Sequence, residues 1–310
     1  MTWGCVFPGQ GSQQVGMLAD LMHEPEIGET FLEADAVLRL PLGQIVREGP
    51  AERLNRTEIT QPALLTASVA LWRLWTARGG TAPAVLAGHS LGEYSALVAA
   101  GALDFGDAVT LVHERGRLMQ EAVPEGEGAM AAILGLDAAA VVRCCAEADA
   151  GVVSPANYNA PGQIVIAGAT PAVETAIERC KAAGAKRAMR LAVSVPSHCP
   201  LMAPAASGFA SALGRIALRM PSIPVIHNVD AEPATSVDGV RDRLVAQLSE
   251  PVRWTGCILK MAEMGVTHIA ECGPGKILAG LVRRIDKSLT VHTLGDAAGF
   301  GEALGQGSSR

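Results

Sequence analysis

The run Val85-Leu-Ala-Gly88-His89-Ser90-Leu91-Gly92-Glu93 constrains this chain more than any other segment. It is a G-x-S-x-G pentapeptide with an apolar, strand-like segment before it and a helix-like stretch, Ala96–Ala100, after it. A serine carried on so sharp a strand-to-helix turn is held in strained backbone geometry, and Gly88 and Gly92 make room for it. The same turn aims the Leu91 backbone N–H at an acyl oxygen, and the helix N-terminus favours the negative charge that gathers there. Ser90 is therefore the candidate nucleophile, against the plainer reading of an ordinary turn serine.

Composition narrows the classes. Hydrophobic residues make up 49% of the 310 and charged residues 18%, so disorder is excluded and a sizeable core is expected. Aromatics are only 4%, which leaves Ala, Val and Leu to fill that core. The net charge of −6 argues against a general nucleic-acid binder. The seven cysteines are scattered without a CxxC pair, so no disulfide framework and no metal site is signalled. They read as buried small hydrophobes in a reducing cytosol. Neither a signal-peptide pattern nor a run of roughly 18 apolar residues is present, so a soluble, cytoplasmic protein with no membrane association is expected.

Strand-like and helix-like segments alternate, which points to the α/β class. Expected strands are Trp3–Phe7, Val85–Gly88, Val225–Asn228 and Thr267–Ala270. Thr60-Gln-Pro-Ala opens a core-packed helix with Pro62 in its first turn. Between about Glu127 and Ala192 the rhythm changes to strand Ala129–Leu134, helix Asp137–Ala148, strand Val152–Asn157, strand Gln163–Ala167, helix Thr170–Ala183 and strand Arg187–Leu191. That β-α-β-β-α-β order is the order of a ferredoxin-like unit. The expected architecture is a large α/β-hydrolase-like domain with a parallel sheet, residues 1–126 and 197–310. A ferredoxin-like small domain, residues 127–196, is inserted into it.

A serine nucleophile needs a base. His89 adjoins Ser90, but successive side chains diverge at such a turn. His198 sits in Val195-Pro-Ser-His-Cys-Pro200, a loop stiffened by two prolines, which suits a positioned base, although a lone loop histidine is commonly just polar surface. No acid at a recognisable spacing completes a Ser-His-Asp set, which weakens an ordinary hydrolase reading. Phe7–Gln13 (FPGQGSQ) fails as a nucleotide loop because Gln14 stands where a glycine is needed, yet its N–H groups could still face an anionic oxygen. Gly273-Pro-Gly-Lys276 fails as a P-loop and reads as a turn before a helix. Arg115 falls within a helical stretch, Asp107–Ala122. A helix arginine usually forms a surface ion pair, but a guanidinium in a cleft could bind a carboxylate through two parallel hydrogen bonds.

Together these segments resemble the bacterial malonyl-CoA:acyl-carrier-protein transacylase family over nearly the whole chain. The resemblance rests on FPGQGSQ (Phe7–Gln13), TQPALLTASVAL (Thr60–Leu71), GHSLGEYSAL (Gly88–Leu97) and the Arg115–Pro124 run. It continues through NYNAPGQIVIAG (Asn157–Gly168), VPSH (Val195–His198), QLSEPVRW (Gln247–Trp254) and ECGPGK (Glu271–Lys276). It implies a ping-pong acyltransferase: Ser90 takes malonyl from malonyl-CoA, and the phosphopantetheine thiol of acyl carrier protein takes it from Ser90. It further implies His198 as general base and acid, oriented by a side-chain or backbone oxygen of Gln247. Gln10 and Leu91 would supply the oxyanion-hole N–H groups, and Arg115 would hold the malonyl carboxylate. His89 is a candidate substrate-binding residue.

No metal and no cofactor is expected beyond the coenzyme A thioester, which is substrate, and the chain is expected to act as a monomer. An acidic carrier protein would need local positive charge. Lys181, Lys186, Arg187 and Arg190 form one candidate patch, and Lys276, Arg283, Arg284 and Lys287 another, each equally readable as a solvated face. Rival readings are the malonyl-transfer subunit of a malonate decarboxylase, an α/β-hydrolase esterase, and a catalytically silent scaffold. Related polyketide acyltransferases selective for malonyl commonly place Phe before the histidine, where this chain has Ser197.

Overall fold

The computed structural model describes residues 1–193 and 195–307. Its strands are β1 (Trp3–Phe7), β2 (Val85–Gly88), β3 (Gly128–Leu134), β4 (Val153–Ala160), β5 (Gln163–Ala169), β6 (Arg187–Arg190), β7 (Val225–Ile226), β8 (His268–Glu271) and β9 (Thr290–Thr293). They form two sheets. One is parallel, in the order β7-β2-β1-β8-β9, and the other is antiparallel, in the order β4-β5-β3-β6.

Every residue of β1 and β2 is buried, which is why both read as unbroken apolar runs rather than alternating ones. Both strands match expectation to the residue, and β8 lies one residue later than expected. β7 stops at Ile226 and does not reach Asn228, because the Asn228 N–H bonds to the Glu93 carboxylate at 2.9 Å instead of to a neighbouring strand. From β1 the chain crosses to β2 on one side and returns later to β8 on the other. In α/β sheets the crevice at the carboxyl ends of strands flanking such a reversal is where ligands bind. The loop carrying Gln10 follows β1 and the turn carrying Ser90 follows β2, so both open into that crevice.

The antiparallel sheet keeps the expected β-α-β-β-α-β order, with helices Ala138–Ala146 and Thr170–Ala182 packed on one face through Val141, Val173, Ile133 and Ile166. The largest shift is at the end of β4, which runs to Ala160 rather than Asn157. Asp137 stands just outside its helix as a cap, accepting the Ala140 N–H at 2.7 Å. The antiparallel sheet is tied to the rest of the chain through β4: Tyr158 donates to the Val252 carbonyl and Val252 to that of Ala156, both at 2.9 Å.

The helix Thr57–Ala77 begins three residues before Thr60, so Pro62 lies in its second turn rather than its first. Proline has no N–H, and the Glu58 carbonyl loses its donor within the helix. His113 repairs the defect, with Nδ1 at 2.8 Å from that oxygen. His113 comes from the helix Phe105–Ala122, which crosses at Gly116. A Cβ on Gly116 would lie 2.7 Å from both Glu58 Cα and Thr57 O, so only glycine allows this approach. All seven cysteines are buried. Among the described residues no helix is long and apolar enough to cross a membrane.

Candidate active site

The turn after β2 exists because its glycines carry no side chain. A Cβ on Gly88 would fall 1.9 Å from the Gly92 carbonyl carbon, and one on Gly92 would fall 2.0 Å from Phe7 O. Between them Ser90 sits at φ +52°, in the left-handed region where serine is rare. Asn228 holds it there: Oδ1 accepts the Ser90 N–H and Nδ2 donates to the Gly88 carbonyl, both at 2.7 Å. Strain at the nucleophile is thus maintained by side-chain bonds to the main chain that leads into it.

His198 meets Ser90 across 108 residues, with Nε2 at 2.7 Å from the serine Oγ. Its backbone is also left-handed, at φ +61°, and its N–H donates to Leu248 O at 3.1 Å. Nδ1 lies 2.7 Å from the Gln247 carbonyl, which can only accept. Nδ1 therefore carries the ring proton and Nε2 is left to take one from Ser90. Burial lowers the His198 pKa to about 3, with the neighbouring Arg115 charge adding to the shift.

Of the two open possibilities for Gln247, the backbone oxygen orients the base and the side chain does something else. Its Oε1 accepts from Arg115 Nη2 at 2.9 Å. Its Nε2 donates to Ser90 O at 3.0 Å and to Glu93 Oε2 at 2.9 Å. Arg115 is fully buried, donates to Gln61 Oε1 at 2.9 Å, reaches Ser90 Oγ at 3.3 Å and lies over the Tyr94 ring at 5.3 Å. Among the described residues no carboxylate lies within ion-pairing distance of it. Its hydrogen-bond acceptors are neutral oxygens, an arrangement that favours an incoming anion.

The backbone N–H groups of Gln10 and Leu91 have no acceptor among the described residues. His89 turns away from the nucleophile: its Nε2 lies 2.8 Å from Asn159 Oδ1 on β4, and its ring lies 5.4 Å from that of Trp254. It ties the nucleophile turn to the antiparallel sheet, and burial lowers its pKa. In the two basic patches Lys181, Arg190 and Lys276 are paired with Glu178, Glu174 and Asp296.

Sequence reasoning did not single out Gln61, Glu93, Asn159, His227 or Asn228. Gln61, Glu93 and Asn159 stood inside quoted motifs without a role, and Asn228 was read as the end of a strand. Their partners lie far away in sequence; Glu93 and His227 are 134 residues apart and hydrogen-bonded at 2.7 Å.

Residues 4–294 match the acyl transferase domain family. The chain belongs to that family. It is 58% identical over 301 residues to a malonyl CoA-acyl carrier protein transacylase of Escherichia coli strain K12, covering 96% of this chain and 97% of the relative. The solved structure of the malonyl CoA-acyl carrier protein transacylase from Coxiella burnetii superposes with a TM-score of 0.98 at 48% identity, covering 99% of this chain and 98% of that one. A malonyl-transacylase solved in complex with its type II PKS acyl-carrier protein gives 0.97 at 53% identity, covering 99% and 100%. In this acyl transferase domain, as in those structures, a parallel sheet is accompanied by a separate antiparallel one.

Proposed function

We propose that the protein transfers the malonyl group of malonyl-CoA to the phosphopantetheine thiol of an acyl carrier protein through a malonyl-Ser90 ester. The observation that carries this reading is the buried Arg115 guanidinium, unpaired with any carboxylate of the described residues and 3.3 Å from an Oγ that His198 holds at 2.7 Å. An activated hydroxyl beside a buried cation suits an acyl group that bears its own negative charge.

In the first half-reaction His198 Nε2 accepts the Ser90 proton as Oγ bonds to the thioester carbon. The oxyanion forms against the N–H groups of Gln10 and Leu91, helped by the N-terminus of the helix Gly92–Ala99. When the C–S bond breaks, the imidazolium returns the proton to the departing thiolate and free coenzyme A leaves. In the second half-reaction His198 takes the proton of the carrier thiol, sulfur attacks the ester, and Ser90 Oγ recovers the proton. Arg115 binds the malonyl carboxylate throughout, exchanging its neutral acceptors for a charged one. The cycle as written uses only the chain's own residues and the thioester. The site is complete within one chain, which fits a monomer.

The His198 orienting bond goes to a backbone carbonyl rather than to an acid, which disfavours the esterase reading. The alternating element order and sheet order of residues 128–190 support a ferredoxin-like unit inserted at 127–196. The strand-turn-helix at Ser90 supports a hydrolase-like large domain over 1–126 and 197–310.

Intact-protein mass spectrometry after brief mixing with malonyl-CoA tests the function. One malonyl adduct on the Ser90 peptide, discharged by acyl carrier protein, is expected; an adduct that water clears and the carrier protein does not would return the chain to the hydrolases. A pH profile tests the base. Because burial holds His198 at about 3 in the free enzyme, kcat/KM for malonyl-CoA should show no acidic limb between about pH 5 and 8. A limb near the ordinary histidine value would mean the ring is not desolvated before substrate binds.

A further inference from the structure

One group in the crevice has no part in the chemistry above. Glu93 lies in the first turn of the helix after Ser90 and is completely buried. Its Oε1 accepts from His227 Nδ1 at 2.7 Å. Its Oε2 accepts from the Asn228 N–H and from Gln247 Nε2, each at 2.9 Å. Among the described residues the only other buried carboxylate is Glu271, which accepts the N–H groups of Leu278 and Ala279 at the start of a distant helix.

The charge on this cluster follows from its hydrogen bonds. His227 is fully buried, and its Nε2 has no partner among the described residues. A doubly protonated ring would bury an unbonded N–H there, so the ring is neutral, with its proton on Nδ1 toward Glu93. The Glu93–His227 pair accordingly carries one negative charge. That charge is one primary amide away from Arg115: Glu93 accepts from the Gln247 amide nitrogen, and the oxygen of the same amide accepts from Arg115. Through the Asn228 N–H and the Gln247 amide the same carboxylate also holds the two residues whose side chains bond to Ser90's own N–H and carbonyl.

We propose that Glu93 is the resident counter-charge of Arg115 and a positioning residue for the nucleophile turn, and that it sets how strongly the site selects a dicarboxylic acyl group. The inference rests on the transfer reading above for its substrate, but its electrostatics concern any carboxylate bound at Arg115. In the empty site Glu93 offsets the buried guanidinium through the Gln247 dipole, so Arg115 persists without a ligand. In the occupied site it repels the incoming carboxylate. Affinity for the charged acyl group is thereby held below what Arg115 alone would give, so the ground state is not overbound relative to the transition state. The imidazolium that forms on His198 gains from the same negative charge, whichever acyl group is bound.

Charge and geometry are separable by two variants. Glu93→Gln keeps the volume and removes the charge; its oxygen can face Asn228 and Gln247, and its NH2 can face His227 once the ring proton moves to Nε2, at the cost of one neutral buried N–H without an acceptor, which slows both donors alike. Glu93→Asp keeps the charge and shortens the reach. Acylation of Ser90 by malonyl-CoA and by acetyl-CoA is measured for the parent and both variants, alongside calorimetric binding of free malonate. Glu93→Gln should slow both donors yet raise the malonyl-over-acetyl ratio in kcat/KM, and tighten malonate binding, by roughly tenfold. Glu93→Asp should slow both donors with the ratio within about twofold of the parent.

A purely structural role would lower both donors together and leave the ratio and malonate affinity unmoved in Glu93→Gln; that result would overturn the proposal. If Glu93→Gln does not fold, a raised ratio in Glu93→Asp would overturn it equally, because that variant retains the charge. A parent enzyme that binds malonate but forms no adduct would refute the transfer reading instead, and the tenfold change in malonate affinity would still decide this one.

Discussion

Replacing Ser90 by alanine is expected to abolish the malonyl adduct and to lower transfer by about four to six orders of magnitude, the range seen when a nucleophile that works as a unit with its base is removed. The fold should survive. The bonds that hold the strained turn come from Asn228 and Gln247 and end on main-chain atoms of residue 90, which alanine keeps. Only the Oγ contacts with His198 and Arg115 are lost. The check is mass spectrometry of the variant after mixing with malonyl-CoA, with a thermal melt to establish that it is folded. Acylation that persists on the variant would remove Ser90 from the mechanism.

Replacing Arg115 by alanine has the second largest expected effect, on selectivity. Removing one partner of a buried charged pair costs about 3–5 kcal/mol, so kcat/KM for malonyl-CoA should fall by between two and four orders of magnitude. The uncharged acetyl donor no longer has to be accepted beside a buried cation that it cannot pair, so the preference between the two should collapse. Part of the loss will be structural, because Gln61 Oε1 and Gln247 Oε1 are left unpaired in the interior. The ratio of the two donors, rather than either rate alone, isolates the charge. An unchanged malonyl-to-acetyl preference would rule out Arg115 as the carboxylate clamp.

Parts of this architecture were legible in the sequence for local reasons. Ser90 was readable because strand, turn and helix must follow one another within a few residues, and because only glycine fits at 88 and 92. The β-α-β-β-α-β segment was readable because each element repeats its own apolar period, and each is bounded by a turn or a cap such as Asp137. The Thr57 start of the long helix was not readable: Pro62 looks like a first-turn residue until His113, 51 positions beyond it, supplies the donor that proline withholds from Glu58. The end of β7 was hidden in the same way, since Asn228 leaves the sheet to serve Glu93. Arg115 and His198 were visible as chemistry-bearing residues, but neither sequence nor composition announces the network through which Gln247 touches both. Such contacts depend on side chains brought together by topology, and no local period encodes them.

The crossing at Gly116 has a further consequence. Arg115 reaches the crevice from a helix whose distance to its neighbour is fixed by the absence of a single Cβ, with Glu58 and Thr57 as the opposing surface. The depth of the guanidinium is therefore gauged by the thickness of a helix-helix contact at the next residue, and Gln61 of the opposing helix accepts from the same guanidinium. Acyl preference in such a scaffold can be retuned without touching any group that meets the substrate, because one added methyl at the gauge point would force the two helices apart and shift the charge within the crevice.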